Sequence, residues 1–171
     1  LARAGQAVAL VPTKDLQYQW LDEIDEHLVR PGRIRARVGR MGDGRYAVGV
    51  YDISGHGVSS ALIMAYLKAQ FANATKDLRD PGAIVDWVNR SAFTFLREVR
   101  RYSTVNFVMF TPGFLRYVSG GGYGLLVRRG APRPFNRVSN FIGLRQKPFQ
   151  EFELPFESQD VLALRSEERR V

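Results

Sequence analysis

An α+β fold, with helices packed on antiparallel sheets, is what the order of elements in this chain predicts. β-like segments come first, two helical segments follow one another directly, and closely spaced β-like segments fill the remainder. The strand–helix–strand alternation of a Rossmann-type parallel sheet is missing. A length of 171 residues, with 45% hydrophobic and 12% aromatic content, matches one globular domain with its own core.

Residues 1–12 are small and apolar up to Pro12 and fit either a strand or the end of a helix. Thr13 can cap a helix with apolar positions at Leu16, Trp20, Leu21, Ile24 and Leu28, its acidic stretch Asp22–Glu26 solvated. Leu16, Tyr18 and Trp20 alternating with Gln17 and Gln19 read equally well as a strand, so both stay open. From Arg33 the pattern clears. Ile34, Ala36 and Val38 alternate with Arg35 and Arg37, Gly42-Asp43-Gly44 forms a hairpin turn, and Tyr46–Tyr51 returns as a strand. Asp43 is there for the turn, which favours Asp-Gly on backbone grounds.

Helical spacing starts at Ser59, with Leu62, Ala65, Tyr66, Ala69 and Ala72 in register and Met64, Tyr66 and Phe71 expected in the core. Asp80-Pro81 opens a second helix as a cap with proline in the first turn, and its apolar face carries Ile84, Val85, Val88, Ala92, Phe95, Leu96 and Val99. Strand chemistry then takes over. Thr104–Phe110 and Phe114–Val118 flank the turn Thr111-Pro112-Gly113, and Tyr123–Arg128 follows the glycines at 120–122. Those glycines read as a strand corner rather than a phosphate loop, since no P-loop lysine follows. Pro132 and Pro134 mark a loop, and Phe149–Leu154 and Val161–Leu164 are the last strands.

The absence of cysteine removes disulfide frameworks, zinc–thiolate sites, iron–sulfur clusters and cysteine nucleophiles. The formal charge of +8 comes from arginines spread over the whole length, Arg101 among them, with no zinc-finger, helix-turn-helix or aromatic RNA-binding signature beside them. That distribution describes an arginine-rich solvated surface and argues against nucleic acid, while leaving room for an acidic or phosphorylated partner. No run reaches the roughly 18 apolar residues of a membrane span and no secretory signal opens the chain, so a cytoplasmic setting is expected. The start at Leu1 suggests a piece of a larger polypeptide.

The most informative stretch is Tyr51-Asp52-Ile53-Ser54-Gly55-His56-Gly57, followed by Val58-Ser59-Ser60-Ala61-Leu62-Ile63-Met64-Ala65. An apolar strand ends on one carboxylate, a glycine-flanked loop follows, and a helix opens, which fixes an oxygen donor at the mouth of a sheet where a hard cation could sit. Capping of the Ser54 or Gly55 amides is the plainer role for Asp52. DISGHG followed by SSALIMA resembles the metal motif of SpoIIE/RsbU-type phosphatases, the bacterial branch of the metal-dependent, phosphatase 2C-like (PPM) protein serine/threonine phosphatases. The resemblance extends through Asp80-Pro81, Val88-Asn89, the pair Asn106–Phe110 and Phe114–Val118, Leu125–Arg129, Ile142-Gly143-Leu144 and Glu153-Leu154-Pro155, covering residues 42–165 in order.

The resemblance implies a β-sandwich of two antiparallel sheets flanked by helices, and two Mn²⁺ or Mg²⁺ ions activating a water that attacks a phosphoserine. Asp52 would supply the bridging, catalytic carboxylate and the Ile53 carbonyl a further ligand; Gly55 and Gly57 would permit the loop, and His56 would be a hydrogen-bonded loop residue. The pattern also has Gly-Gly-Asp upstream, where this chain has Gly32-Arg33-Ile34, and Asp-Gly after the last strand, where Glu167 stands with no glycine following. Two readings therefore stay open. One is a phosphatase acting on a phosphorylated, anti-anti-sigma factor-like regulatory protein, behind a sensor or receiver domain. The other is a pseudophosphatase with the same fold, serving as a protein-binding adaptor. A basic nucleic-acid-binding module is a weaker third.

Overall fold

A computed structural model describes residues 7–11, 39–40, 46–55, 57–135, 139–157 and 160–165. Nine strands and two helices make up these residues: β1 Ala7–Val11, β2 Gly39–Arg40, β3 Tyr46–Ile53, α1 Val58–Asp77, α2 Pro81–Glu98, β4 Ser103–Thr111, β5 Phe114–Gly120, β6 Tyr123–Arg128, β7 Ala131–Phe135, β8 Glu151–Pro155 and β9 Val161–Arg165. They form two sheets, ordered β1-β9-β6-β7 and β2-β3-β4-β5-β8. Every pairing is antiparallel except that of β1 with β9.

Period-two alternation divides the strands of the five-stranded sheet between two cores. Val48, Val50, Val108, Leu115 and Tyr117 face the other sheet and meet Leu126, Phe135, Leu162 and Leu164 there. Ala47, Tyr51, Ile53, Val105, Phe107, Met109 and Val118 face the helices, packing against Ile63, Leu67, Ile84, Val85, Val88, Ala92 and Leu96. An aromatic stack runs from strand to helix to strand, with Tyr51–Phe71 centroids 5.2 Å and Phe71–Phe107 centroids 5.5 Å apart. Burial lifts the Tyr51 hydroxyl above its ordinary pKa. Each fully buried aliphatic chain in these layers contributes roughly 1.5–3 kcal/mol of hydrophobic transfer.

The buried face of α1 is Ser60, Ile63, Leu67, Phe71 and Ala74, not the expected series through Leu62; Leu62 is 67% and Met64 44% exposed, and Tyr66 is half-buried. Six successive apolar residues, Leu62 to Leu67, leave the helical period without a preferred direction, so contact with the sheet chooses the face. In α2 the expected face holds from Ile84 to Leu96, whereas Phe95 and Val99 are exposed. Asp80 occupies the cap position without capping. Its carboxylate accepts from Arg116 at 2.7 Å, and Glu151, reached from β8, accepts from the Gly82 amide at 3.1 Å instead. Arg116, also paired with Glu151, thus fastens the start of α2 to β5 and β8.

The Pro132–Pro134 segment is a strand and not a loop. β7 lies at the outer edge of its sheet, opposite β6, where a proline without an N–H is tolerated. The open choice for residues 1–12 resolves as strand β1 over its described part. β2 pairs with β3 antiparallel, Gly39 opposite Ala47, consistent with the expected hairpin. The turn at 42–44, the segment 13–28 with its two alternatives, the alternating run 33–38, His56 and Glu167 lie outside the described residues. Buried Asn89 accepts from the Gly143 amide at 2.9 Å and donates to the Arg145 carbonyl at 2.9 Å, holding the Ile142-Gly143-Leu144 segment on α2. Among the described residues, no helix is long and apolar enough to cross a membrane.

Candidate metal centre at the polar end of the sandwich

Along the layer between the two sheets, side chains change from apolar to polar toward one end. Val48, Val108 and Tyr117 sit abreast on β3, β4 and β5; one step on come Val50, Asn106 and Ser119, and one further come Asp52 and Thr104. Asp52 shares the face of β3 that Val48 and Val50 turn toward the other sheet, and it is half-buried. Asn106 and Ser119 are buried, and Thr104 is 6% exposed. Asn106 donates to the Tyr123 carbonyl at 3.0 Å, joining the sheets at this end. Tyr123 is opposite Arg165, so the last described residue of β9 arrives at the same end as Asp52.

The backbone after Asp52 is tied down from the α2–β4 connection. The Ser103 hydroxyl donates to the Asp52 carbonyl at 2.9 Å, the Ser54 amide to the Tyr102 carbonyl at 2.9 Å, and the Tyr102 amide to the Ser54 hydroxyl at 3.0 Å. Gly55 and Gly57 have φ of +96° and +86°, in the left-handed region that side chains disfavour, so the loop depends on glycine at both places. α1 starts at Val58 with Gly57 as its cap residue, and no side chain caps it. Ile53, 4% exposed, turns its side chain into the helix-side core; only its backbone carbonyl is available as a ligand.

The connection itself is shaped by the way α2 ends. The Arg101 amide donates to the Leu96 carbonyl at 2.8 Å and the Arg100 amide to the Arg97 carbonyl at 3.1 Å, a Schellman closure with Arg100 at φ +53° where glycine is usual. That turn delivers Arg101 onto the loop: a Cβ built on Gly55 would lie 2.5 Å from its Nη1 and 2.7 Å from its Cζ. Thr104, across from Asp52, and Arg101, against Gly55, are residues of this end that sequence reasoning did not single out. Arg101 sits in an arginine-rich stretch with nothing to distinguish it, and Thr104 reads as an ordinary strand residue.

Asp52, Thr104, Ser119 and Asn106 all present oxygen, which in kind suits a hard divalent cation. The Thr104 hydroxyl is buried without a hydrogen-bond partner among the described residues, an open polar atom directly across from Asp52. In number the described donors are short, for no three His, Cys, Asp or Glu residues come together among them. Further carboxylates would have to come from beyond them.

Residues 42–167 match the family model for stage II sporulation protein E (SpoIIE), about three-quarters of the sequence. The chain belongs to the SpoIIE family. Solved structures agree on the fold. The SiaA-PP2C domain of Pseudomonas aeruginosa superposes with a TM-score of 0.60 at 20% identity, over 75% of this chain and 50% of that one. The phosphatase and partial regulatory domains of SpoIIE from Bacillus subtilis give 0.61 at 12% identity, over 72% and 37%. PstP, a serine/threonine phosphatase catalytic domain holding two manganese ions, gives 0.55 at 14% identity, over 75% and 70%. The sequence thus spans about half of the SiaA domain and little more than a third of the SpoIIE structure. A comparison with curated proteins returns no match. The expected helix-flanked sandwich is therefore the PP2C-like fold of these solved structures.

Proposed function

We propose that this SpoIIE-family domain is a metal-dependent protein serine/threonine phosphatase acting in the cytoplasm on a phosphorylated regulatory protein of a bacterial signalling pathway. The observation that carries the reading is the placement of Asp52. Its carboxylate stands where the inter-sheet layer turns polar, at the end of a strand held in an eight-residue pairing with β4, and a glycine loop leads from it into α1. That position is stiff, which suits a metal ligand better than a solvated loop carboxylate.

Asp52, the Ile53 carbonyl and Glu167 are the residues we assign to Mn²⁺ or Mg²⁺. When bound, such ions lower the pKa of a coordinated water and offset phosphate charge. The chain's own part is positional. Ser103 and Tyr102 fix the main chain at 52–54, and the Gly55–Gly57 turn brings the start of α1 alongside. The substrate is inferred to be an anti-anti-sigma factor-like phosphoprotein, and a sensor or receiver domain in the same polypeptide is the expected regulator. A relative of similar fold, at 21% identity and a TM-score of 0.58, is described as the RsbU and RsbW domains of Rv1364c from Mycobacterium tuberculosis.

The test is phosphate release from a phosphoserine protein in Mn²⁺ by the full-length protein and its Asp52→Ala variant. Activity abolished by that change supports the reading. Activity untouched by it removes Asp52 from the metal site, and an inactive wild type that binds its partner without Mn²⁺ replaces the enzyme with an adaptor.

A further inference from the structure

Four of the described arginines are half-buried, Arg79, Arg101, Arg116 and Arg128, and three have their guanidinium occupied. Arg79 donates to the Thr75, Lys76 and Leu78 carbonyls at the end of α1. Arg116 holds Asp80 and Glu151, and Arg128 holds Asp160, Glu157 and the Pro155 carbonyl. Arg101 alone among these four has no carboxylate or carbonyl acceptor among the described residues. Its guanidinium therefore keeps five N–H donors in a planar fork, available to a ligand.

Its position says which ligand it suits. The guanidinium lies against Gly55, three residues beyond Asp52, and the Schellman turn and the Tyr102–Ser54 bonds hold its backbone there. We propose that Arg101 is the phosphate-binding residue of this site, receiving the phosphoryl oxygens of the phosphoserine substrate at the Gly55 turn. Planar, bidentate pairing with phosphate oxygens is the contact arginine makes best, and lysine replaces it poorly. Gly55 serves the same purpose, because any side chain at that position would occupy the space of the guanidinium. This assignment rests on the phosphatase reading for the identity of the ligand, yet the anion-binding role can be measured without turnover.

The experiment titrates inorganic phosphate and a phosphoserine peptide into the Mg²⁺-supplemented protein, followed by NMR at the Gly55 amide and the Arg101 Nε–H. Wild type, Arg101→Gln, Arg101→Lys and Asp52→Asn are compared, and KM and kcat for the peptide are measured alongside. Arg101→Gln keeps most of the stem and removes the charge. It is expected to weaken phosphate binding and raise KM about tenfold or more, the loss of a charge-assisted hydrogen bond, with a smaller change in kcat. Arg101→Lys should recover part of the binding. Phosphate affinity in Arg101→Gln equal to wild type overturns the proposal, as does a variant whose only change is a lower Tm. Should the wild type bind phosphate through Arg101 yet release none from the peptide, the assignment of Arg101 stands and the hydrolytic reading falls.

Discussion

Gly55→Ala and Gly57→Ala make a matched pair in which one backbone cost is shared and one contact is not. Both glycines have positive φ, +96° and +86°, and Gly57, with ψ −169°, is in the extended positive-φ region that only glycine enters readily. A side chain at positive φ costs roughly 1–3 kcal/mol, and the stiffer unfolded chain of alanine returns roughly 0.4–1 kcal/mol, leaving a net loss of about 1–2 kcal/mol for each. For a domain of this size each kcal/mol lowers Tm by roughly 2–4 °C. The difference lies in the surroundings. A Cβ at Gly57 meets nothing within 4 Å, whereas one at Gly55 would stand 2.5 Å from Arg101 Nη1 and 2.7 Å from its Cζ. The guanidinium is the far end of a flexible chain, so it swings aside at little cost to stability but leaves its place at the loop. Thermal unfolding and steady-state kinetics on a phosphoserine peptide should therefore show a fall in Tm in both variants, with KM raised clearly in Gly55→Ala alone. Equal KM changes in the two variants, or an unchanged Tm in both, would refute the reasoning.

Arg100 carries a side chain at a left-handed helix terminus, so Arg100→Gly should leave stability unchanged or raise it by up to about 1 kcal/mol in urea unfolding, relief of strain offsetting the entropy of glycine. Asp160 is held below the ordinary carboxylate range by hydrogen bonds from Arg128, against the opposing effect of burial. Its lowered folded pKa means that its stabilisation is complete above the unfolded value of about 3.9 and is lost as pH falls through the folded value, a dependence that acid titration of Tm should show and Arg128→Ala should weaken. Thr104→Val replaces a buried hydroxyl that has no partner among the described residues. It should raise stability by about 1 kcal/mol while reducing Mn²⁺-dependent turnover; a loss of stability instead would show that the hydroxyl is paired within the fold.

The readable parts of this sequence were those where local chemistry and tertiary packing agree. Asp80-Pro81 marked the start of α2, Thr111-Pro112-Gly113 the β4–β5 turn, and the strand–carboxylate–glycine order around Asp52 placed that residue at the end of β3. Where the two disagree, the sequence misled. α1 is apolar on nearly every side, so its buried face is set by the sheet it meets. Pro132 and Pro134 look like loop residues unless their strand is known to be an outer edge. The cap of α2 is supplied by Glu151, 69 residues from Gly82, which no local pattern could reveal. Arg101 is the same kind of case. Its run of basic neighbours reads as solvated surface, and only the turn ending α2 brings it against Gly55.

A calorimetric titration with Mn²⁺, run on the full-length protein and on Asp52→Asn, tests the metal centre most directly. Asp52→Asn keeps the shape of the side chain and removes its charge. The wild type should take up the ion and the variant should lose that uptake, while both unfold at similar temperatures in the absence of metal. Equal Mn²⁺ uptake by the two proteins would contradict Asp52 as a ligand and leave the polar end of the sandwich without its assigned chemistry.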